Sequence, residues 1–214
     1  YYASIGKAAV DLAVVPATLL LNEVSGFPQV IRALRAGFSA VMIDVSSLPF
    51  EKGKKLTRRI VRLAHLANVA VEAQFDELPH AKNGVLKEGE KASMTDPRKA
   101  LGFVEETGVD ALSISIGNVH GLYEAKAKLD LIRLKEIRES VQTPLVLHGA
   151  TGISDDDAKK AAQAGVCKIN VGHVLRLSFA DAVKSGLERG ISIDLEGIGD
   201  RAETQVGNLI RERM

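Results

Sequence analysis

Cysteine is nearly absent. Cys167 is the one thiol in 214 residues, so no internal disulfide can form. A reducing, cytoplasmic setting is the expectation for such a chain. Cys167 sits in an apolar run, AGVCKINV, which reads as a buried and inert thiol. Tryptophan is missing and aromatics are only 4% of the chain, with no basic run to interleave them. That excludes the usual nucleic-acid surfaces. A net charge of +1 gives no bulk attraction to nucleic acid or to an anionic membrane. Nor is any apolar run long enough to span a bilayer. The opening stretch, YYASIGKAAVDLAVVP, has no basic flank and reads as an amphipathic helix, not a signal peptide.

What is present is a soluble-type balance, 46% apolar and 26% charged. At this length it fits one domain with a sizeable core. Short runs rich in Val, Ile and Leu recur at 17–21 (ATLLL), 39–43 (SAVMI), 69–73 (VAVEA), 111–116 (ALSISI), 144–147 (PLVL) and 166–171 (VCKINV). Bounded by Gly, Pro or polar residues, they read as buried parallel strands. Helical spacing fills the gaps at 27–36, 56–68, 97–107, 131–141, 155–164 and 175–189. Thr95-Asp96-Pro97 and Ser154 followed by Asp155, Asp156 and Asp157 are helix starts: a capping side chain, then proline or negative charge where the helix dipole favours it.

Repeated β-then-α units imply a parallel sheet with right-handed crossovers. The expected fold is therefore α/β, and the family resemblance given below implies a (β/α)8 TIM barrel, either partial in this sequence or open. Such a barrel needs eight strands, and six runs are visible. The first two units are expected to lie before Tyr1, so 1–214 is read as a single, partial barrel domain. Two stretches break the rhythm. Residues 74–94 (QFDELPHAKNGVLKEGEKASM) read as a mobile active-site loop, because long polar loops are functional or disordered. Residues 190–214 read as a charged tail with helical propensity at its end.

Barrel active sites lie at the carboxyl ends of the strands. The residues there carry the functional signal: VMIDVSSLPFE (41–51), TDPRKALGFVEETGVDALSISIGNVHGLY (95–123), PLVLHGATGIS (144–154) and GVCKINV (165–171). In this order, over nearly the whole length, they resemble the class II, metal-dependent ketose-bisphosphate aldolases. The resemblance implies a divalent metal, Zn²⁺, held by histidines. It implies a phosphorylated ketose as substrate, fructose- or tagatose-bisphosphate-like, cleaved through a dihydroxyacetone-phosphate enediolate. It also implies a homo-oligomer and a place in carbohydrate metabolism.

By that resemblance His120 and His148 are the second and third metal histidines. Gly121, Gly149, Thr151, Gly152 and Asn170 match phosphate- and substrate-binding positions, with Thr151 keeping the hydroxyl of a serine. His173 follows as a phosphate or metal contact or a surface histidine. Glu72 of VEAQ is a retained carboxylate, but Gln74 replaces a second glutamate. Asp44 matches an acidic position near the metal; capping of the following turn is the other reading.

The first metal position departs from the pattern. Where the family has Asp-His after the strand, LLLNEV has Asn22 and Glu23. Asn22 falls at the aspartate that moves a proton, and an amide does not titrate. Glu23 falls at the histidine and can still ligate, giving two histidines and one carboxylate, a set that suits Zn²⁺ with an open position and also Fe²⁺. In the loop, Pro79 and His80 stand for a glycine pair and Lys82 for an acid, with Glu77, Glu88 or Glu90 as possible substitutes. Glu124 replaces a lysine. A rival reading is a catalytically degenerate homologue with a structural or regulatory role. Lys168 offers a Schiff-base alternative. His65, inside a helix, reads as a packing residue.

Overall fold

The computed structural model describes residues 1–79, 94–121, 127–188 and 195–213. His80, Lys82, Glu88, Glu90 and Glu124, and most of the 74–94 stretch, lie outside the described residues. In chain order the elements are α1 (Tyr2–Leu12), β1 (Leu20–Val24), α2 (Phe27–Ala36), β2 (Ala40–Asp44), α3 (Phe50–His65), β3 (Ala70–Gln74), α4 (Pro97–Thr107), β4 (Ala111–Ile114), α5 (Leu131–Ser140), β5 (Leu145–Leu147), α6 (Asp155–Gln163), β6 (Val166–Ile169), α7 (His173–Glu188) and α8 (Leu195–Arg213). A 3₁₀ turn, Ala150–Gly152, follows β5. The six strands form one sheet in the order β1-β2-β3-β4-β5-β6, every pair parallel. This is the α/β arrangement of a TIM barrel, and all six expected strands are in it.

Side chains alternate along each strand and give the sheet two different faces. One face carries Val41, Ile43, Leu112, Ile114, Leu145 and Leu147, all essentially inaccessible, beneath Ile60, Phe103 and Leu134 of the helices. The other face carries Glu72, Gln74, Ser113, Ser115, His148 and Lys168. A cluster of Phe50, Phe75 and Phe103 packs at the top of the apolar layer, with ring centroids 4.8 to 6.1 Å apart.

Helix ends follow the sequence signals. Asp96 accepts from the Lys99 amide and Pro97 opens α4, while Gly108 closes it at φ 70°, a left-handed conformation that suits glycine. Ser154 caps α6 by accepting from the Asp157 amide, with three aspartates in the first turn. Asp130 caps α5 in the same way through the Arg133 amide, a start the sequence reading had not marked.

Four expectations need correction. The first strand runs over Leu20–Val24, not 17–21. The Ser39 hydroxyl takes the Leu19 amide at 2.9 Å and meets Thr18 Oγ1 at 2.7 Å, while the Leu19 carbonyl accepts from the Ser39 and Ala40 amides, so a side chain takes over part of the pairing before Leu20. Helix α3 begins at Phe50, a turn and a half before the expected start. Cys167 is exposed, not buried. The register shifts between Leu145 and Val146, which pair with Val166 and Lys168, so Cys167 is the extra residue of a bulge on an outer strand. His65 is exposed as well, with Nε2 2.9 Å from Asp110 Oδ2. It makes a surface pair instead of packing.

Candidate metal centre

At the carboxyl ends of the strands lies a cleft of about 280 Å³, lined by Asn22, Glu23, His120, Gly121, His148, Gly149, Thr151, Asn170, Gly172, His173 and Arg176. Of the expected site residues, Glu72 stands just behind this wall, and Gly152 is buried in the turn below it.

The histidines arrive by different routes. His148 follows β5 directly and is 1% exposed. His120 lies well past β4, which ends at Ile114, so it is not a strand-end residue. Tertiary bonds bring it back: its amide donates to the Pro79 carbonyl at 2.9 Å. Asn118, fully buried, pins the same segment. Its side-chain amide donates to the carbonyls of His148 at 3.0 Å and Ile114 at 3.3 Å, and its oxygen accepts from the Ile116 amide at 2.8 Å. Sequence reasoning missed Asn118; its one cue was a polar residue two places before His120 and between the same two glycines. The two imidazoles end up roughly parallel, with centroids 5.8 Å apart. That closeness requires Gly149. Its φ is 73°, and a Cβ there would fall 2.3 Å from the Val119 carbonyl oxygen.

Glu23 reaches the cleft through a backbone irregularity. Leu21 pairs with Val41 and Val24 with Ile43, so Asn22 and Glu23 together oppose one residue of β2. Glu23 takes φ 55°, the left-handed region, which costs a non-glycine residue about 1–2 kcal/mol. The bulge lets Leu21 and Val24 both pack toward the core while Asn22 and Glu23 both line the cleft.

Glu23, His120 and His148 each offer one ligand atom, and these atoms lie within 4.8 Å of one another. Zinc bond lengths near 2.1 Å put tetrahedral ligand atoms about 3.4 Å apart, so modest side-chain rotation closes the set. Glu23 is exposed and His120 half-buried, so both have room to turn. The donors therefore fit a divalent cation with an open position.

Behind them stands a polar network. Glu72 Oε1 is 2.7 Å from His148 Nε2, and its other oxygen accepts from Lys168 Nζ at 2.8 Å. Burial pushes the Glu72 carboxyl up, but the hydrogen bonds from His148 and Lys168 outweigh it and hold the group below its usual range. With Nε2–H donating to the Glu72 carboxylate, Nδ1 keeps the lone pair that a metal needs; the Asn170 amide lies 2.9 Å from the same Nε2. Lys168 also donates to Asn170 Oδ1 at 2.7 Å. These bonds give Lys168 a structural part in the network, in contrast to the Schiff-base alternative. Gln74 accepts from the Ser113 hydroxyl at 3.1 Å, deep in the same face. Asp44 Oδ1 accepts from the Ser46 amide at 2.9 Å, so the turn-capping reading holds for it.

The far end of the cleft has a different character. Thr151 Oγ1 is 3.4 Å from the Val174 amide in the first turn of α7. His173 opens that helix, and Arg176, one turn on, faces the same cleft. Sequence reasoning missed Arg176, although its spacing from His173 puts both on one helical face.

Comparison with known proteins gives the setting of this cleft. The YdjI aldolase of Escherichia coli K12 superposes with a TM-score of 0.85 at 29% identity, over 99% of this chain and 73% of that one. A putative fructose-1,6-biphosphate aldolase from Coccidioides immitis gives 0.83 at 27% identity, over 98% and 75%. Fructose-bisphosphate aldolase from Campylobacter jejuni gives 0.74 at 19% identity, over 97% and 73%, a likeness of fold alone. The chain thus spans about three-quarters of each neighbour. The sequence matches the family description "Fructose-bisphosphate aldolase class-II" over residues 1–214. This chain, with its six-stranded parallel sheet and its cluster of two histidines and a glutamate in the cleft, belongs to the class-II fructose-bisphosphate aldolase family.

Proposed function

We propose that the protein is a metal-dependent aldolase-type lyase acting on a phosphorylated ketose of the fructose- or tagatose-bisphosphate kind. The convergence of Glu23, His120 and His148 within 4.8 Å at the strand ends carries this reading. Glu23, His120 and His148 would hold a divalent cation, Zn²⁺ in the first instance, which would supply a Lewis acid for the ketose carbonyl.

The chain's own residues do the rest. Glu72 fixes the tautomer and orientation of His148, and Lys168 holds Glu72 in turn. Gly121, Gly149, Thr151, Asn170 and His173 form the phosphate and substrate contacts, with Gly152 buried in the turn that carries Thr151, and Arg176 adds a guanidinium suited to a phosphate dianion. The glycines let backbone amides approach the anion closely. Asn22 occupies the position of the family's proton-moving aspartate. Its amide can orient a substrate hydroxyl but cannot titrate, so cleavage is expected about 10²–10⁴-fold below that of relatives with a carboxylate there. A reducing compartment fits the one unpaired thiol. A homo-oligomer is what the family resemblance implies.

The test is exchange of the prochiral C–H proton of dihydroxyacetone phosphate into deuterated water, followed by NMR on the zinc-loaded protein. Exchange reports enediolate formation even where cleavage is slow. It should vanish with a chelator and in His148→Ala. Absence of both exchange and cleavage of either bisphosphate in the zinc-loaded protein would sink the reading.

A further inference from the structure

We infer that Asn22 is a positioning residue for the metal: it holds the carboxylate of Glu23 at the cation, and the bulge in β1 exists to present this pair together. The inference rests on the metal reading above and deepens it.

A regular strand sends consecutive side chains to opposite faces. Here two consecutive side chains, Asn22 and Glu23, enter one cleft, because the pairing skips a residue between Leu21 and Val24. The backbone adopts a left-handed turn at Glu23 to do so, in a residue type that gains nothing from that conformation. Backbone irregularity of this kind collects at sites where it aims a side chain. The aim is visible: the Glu23 ligand atom lies within 4.8 Å of those of His120 and His148.

Glu23 is nevertheless exposed, and an exposed carboxylate on a flexible side chain is a poor ligand unless something orients it. Asn22 Nδ2 donates to Glu23 Oε1 at 3.2 Å. That bond engages one oxygen and restrains the carboxylate near the histidines, while lone pairs remain for an ion. An amide suits the task. It donates a hydrogen bond without adding charge, so a carboxylate and two neutral imidazoles leave a divalent ion with one net positive charge for an anionic substrate. His148 is oriented in the same manner by Glu72, at 2.7 Å. Glu23 and His148 thus each have a partner that sets their direction.

The experiment is a double-mutant cycle in metal affinity, on the full chain, with Zn²⁺ competed against a chromophoric chelator and with Co²⁺ absorption as the spectroscopic readout. The proteins are wild type, Asn22→Ala, Glu23→Ala and the double variant. Asn22 and Glu23 are both exposed, so each variant is expected to fold, which circular dichroism checks. Asn22→Ala should weaken binding about 10–100-fold and alter the Co²⁺ ligand-field bands. In the Glu23→Ala background the same substitution should change neither. An equal loss in both backgrounds, or no loss in either, overturns the positioning role while the metal site stands. A wild-type protein that binds neither Zn²⁺ nor Co²⁺ overturns the metal reading itself, and the positioning role with it.

Discussion

At the scale of single residues, the cleft depends on groups whose chemistry is set by neighbours distant in sequence. Glu72 is the clearest: buried, yet ionised because His148 and Lys168 donate to it from two other strands. Asp76 is the opposite case. Burial raises its carboxyl, and the Thr95 hydroxyl at 2.7 Å only partly opposes this. A carboxyl raised in the folded state binds its proton more tightly there than in the unfolded chain. Its contribution to stability is therefore full below its ordinary value of 3.8 and is lost as pH rises through the raised one. Asp76→Asn keeps an oxygen for Thr95 and removes the charge. The variant should gain stability relative to wild type as pH climbs through that window, as read by urea unfolding at pH 4 and pH 7. A constant difference at both values would show that Asp76 is not charged at a cost.

At the scale of elements, short connections and caps fix where each helix lets go of the chain and hands it to the site. Helix α5 begins at Asp130, whose side chain takes the Arg133 amide at 2.9 Å. The Asp130 amide in turn donates to the Ile116 carbonyl at 2.8 Å. The helix start is thereby tied to the segment that carries Asn118 and His120. Gly117 permits that approach, since a Cβ on it would fall 2.4 Å from the Lys128 carbonyl oxygen. Asp130→Ala should cost about 1 kcal/mol of unfolding free energy through the lost cap. Chemical denaturation measures it, and a change within error would mean that water replaces the cap without loss. The bulges also belong to this scale. The one in β1 aims Asn22 and Glu23 into the cleft, and the one in β6 turns Cys167 outward while Lys168 keeps its bond to Glu72.

At the scale of the whole molecule, the cleft joins parts of the sheet that do not pair with each other. Glu23 comes from β1, at one end of the strand order, and Asn170 follows β6 at the other. A cation gripped by Glu23, His120 and His148 would tie β1 to the loop after β4 and the end of β5. A ligand that binds only the folded state stabilises it by about 2.7 kcal/mol at a hundredfold excess over its dissociation constant. For a domain of this size that corresponds to a rise in melting temperature of about 5–10 °C. Scanning calorimetry with and without Zn²⁺ should show such a rise in wild type and a smaller one in Glu23→Ala. Equal shifts in the two proteins would place the ion elsewhere.

The amino-acid sequence by itself determined the β/α alternation, the parallel sheet, the capped starts of α4 and α6, and the family. Each is written in local patterns: runs of Val, Ile and Leu, helical spacing, and motifs at strand ends. It also marked Glu23, His120 and His148 as a candidate ligand set. Only the tertiary structure decided that they meet, because His120 is brought back by Asn118 and Pro79, and Glu23 is turned in by a bulge. The start of β1, the exposure of Cys167 and the place of Arg176 were beyond sequence reading for the same reason. A strand's register and a side chain's facing are fixed by the partners it pairs with across the sheet, and those partners are far away along the chain.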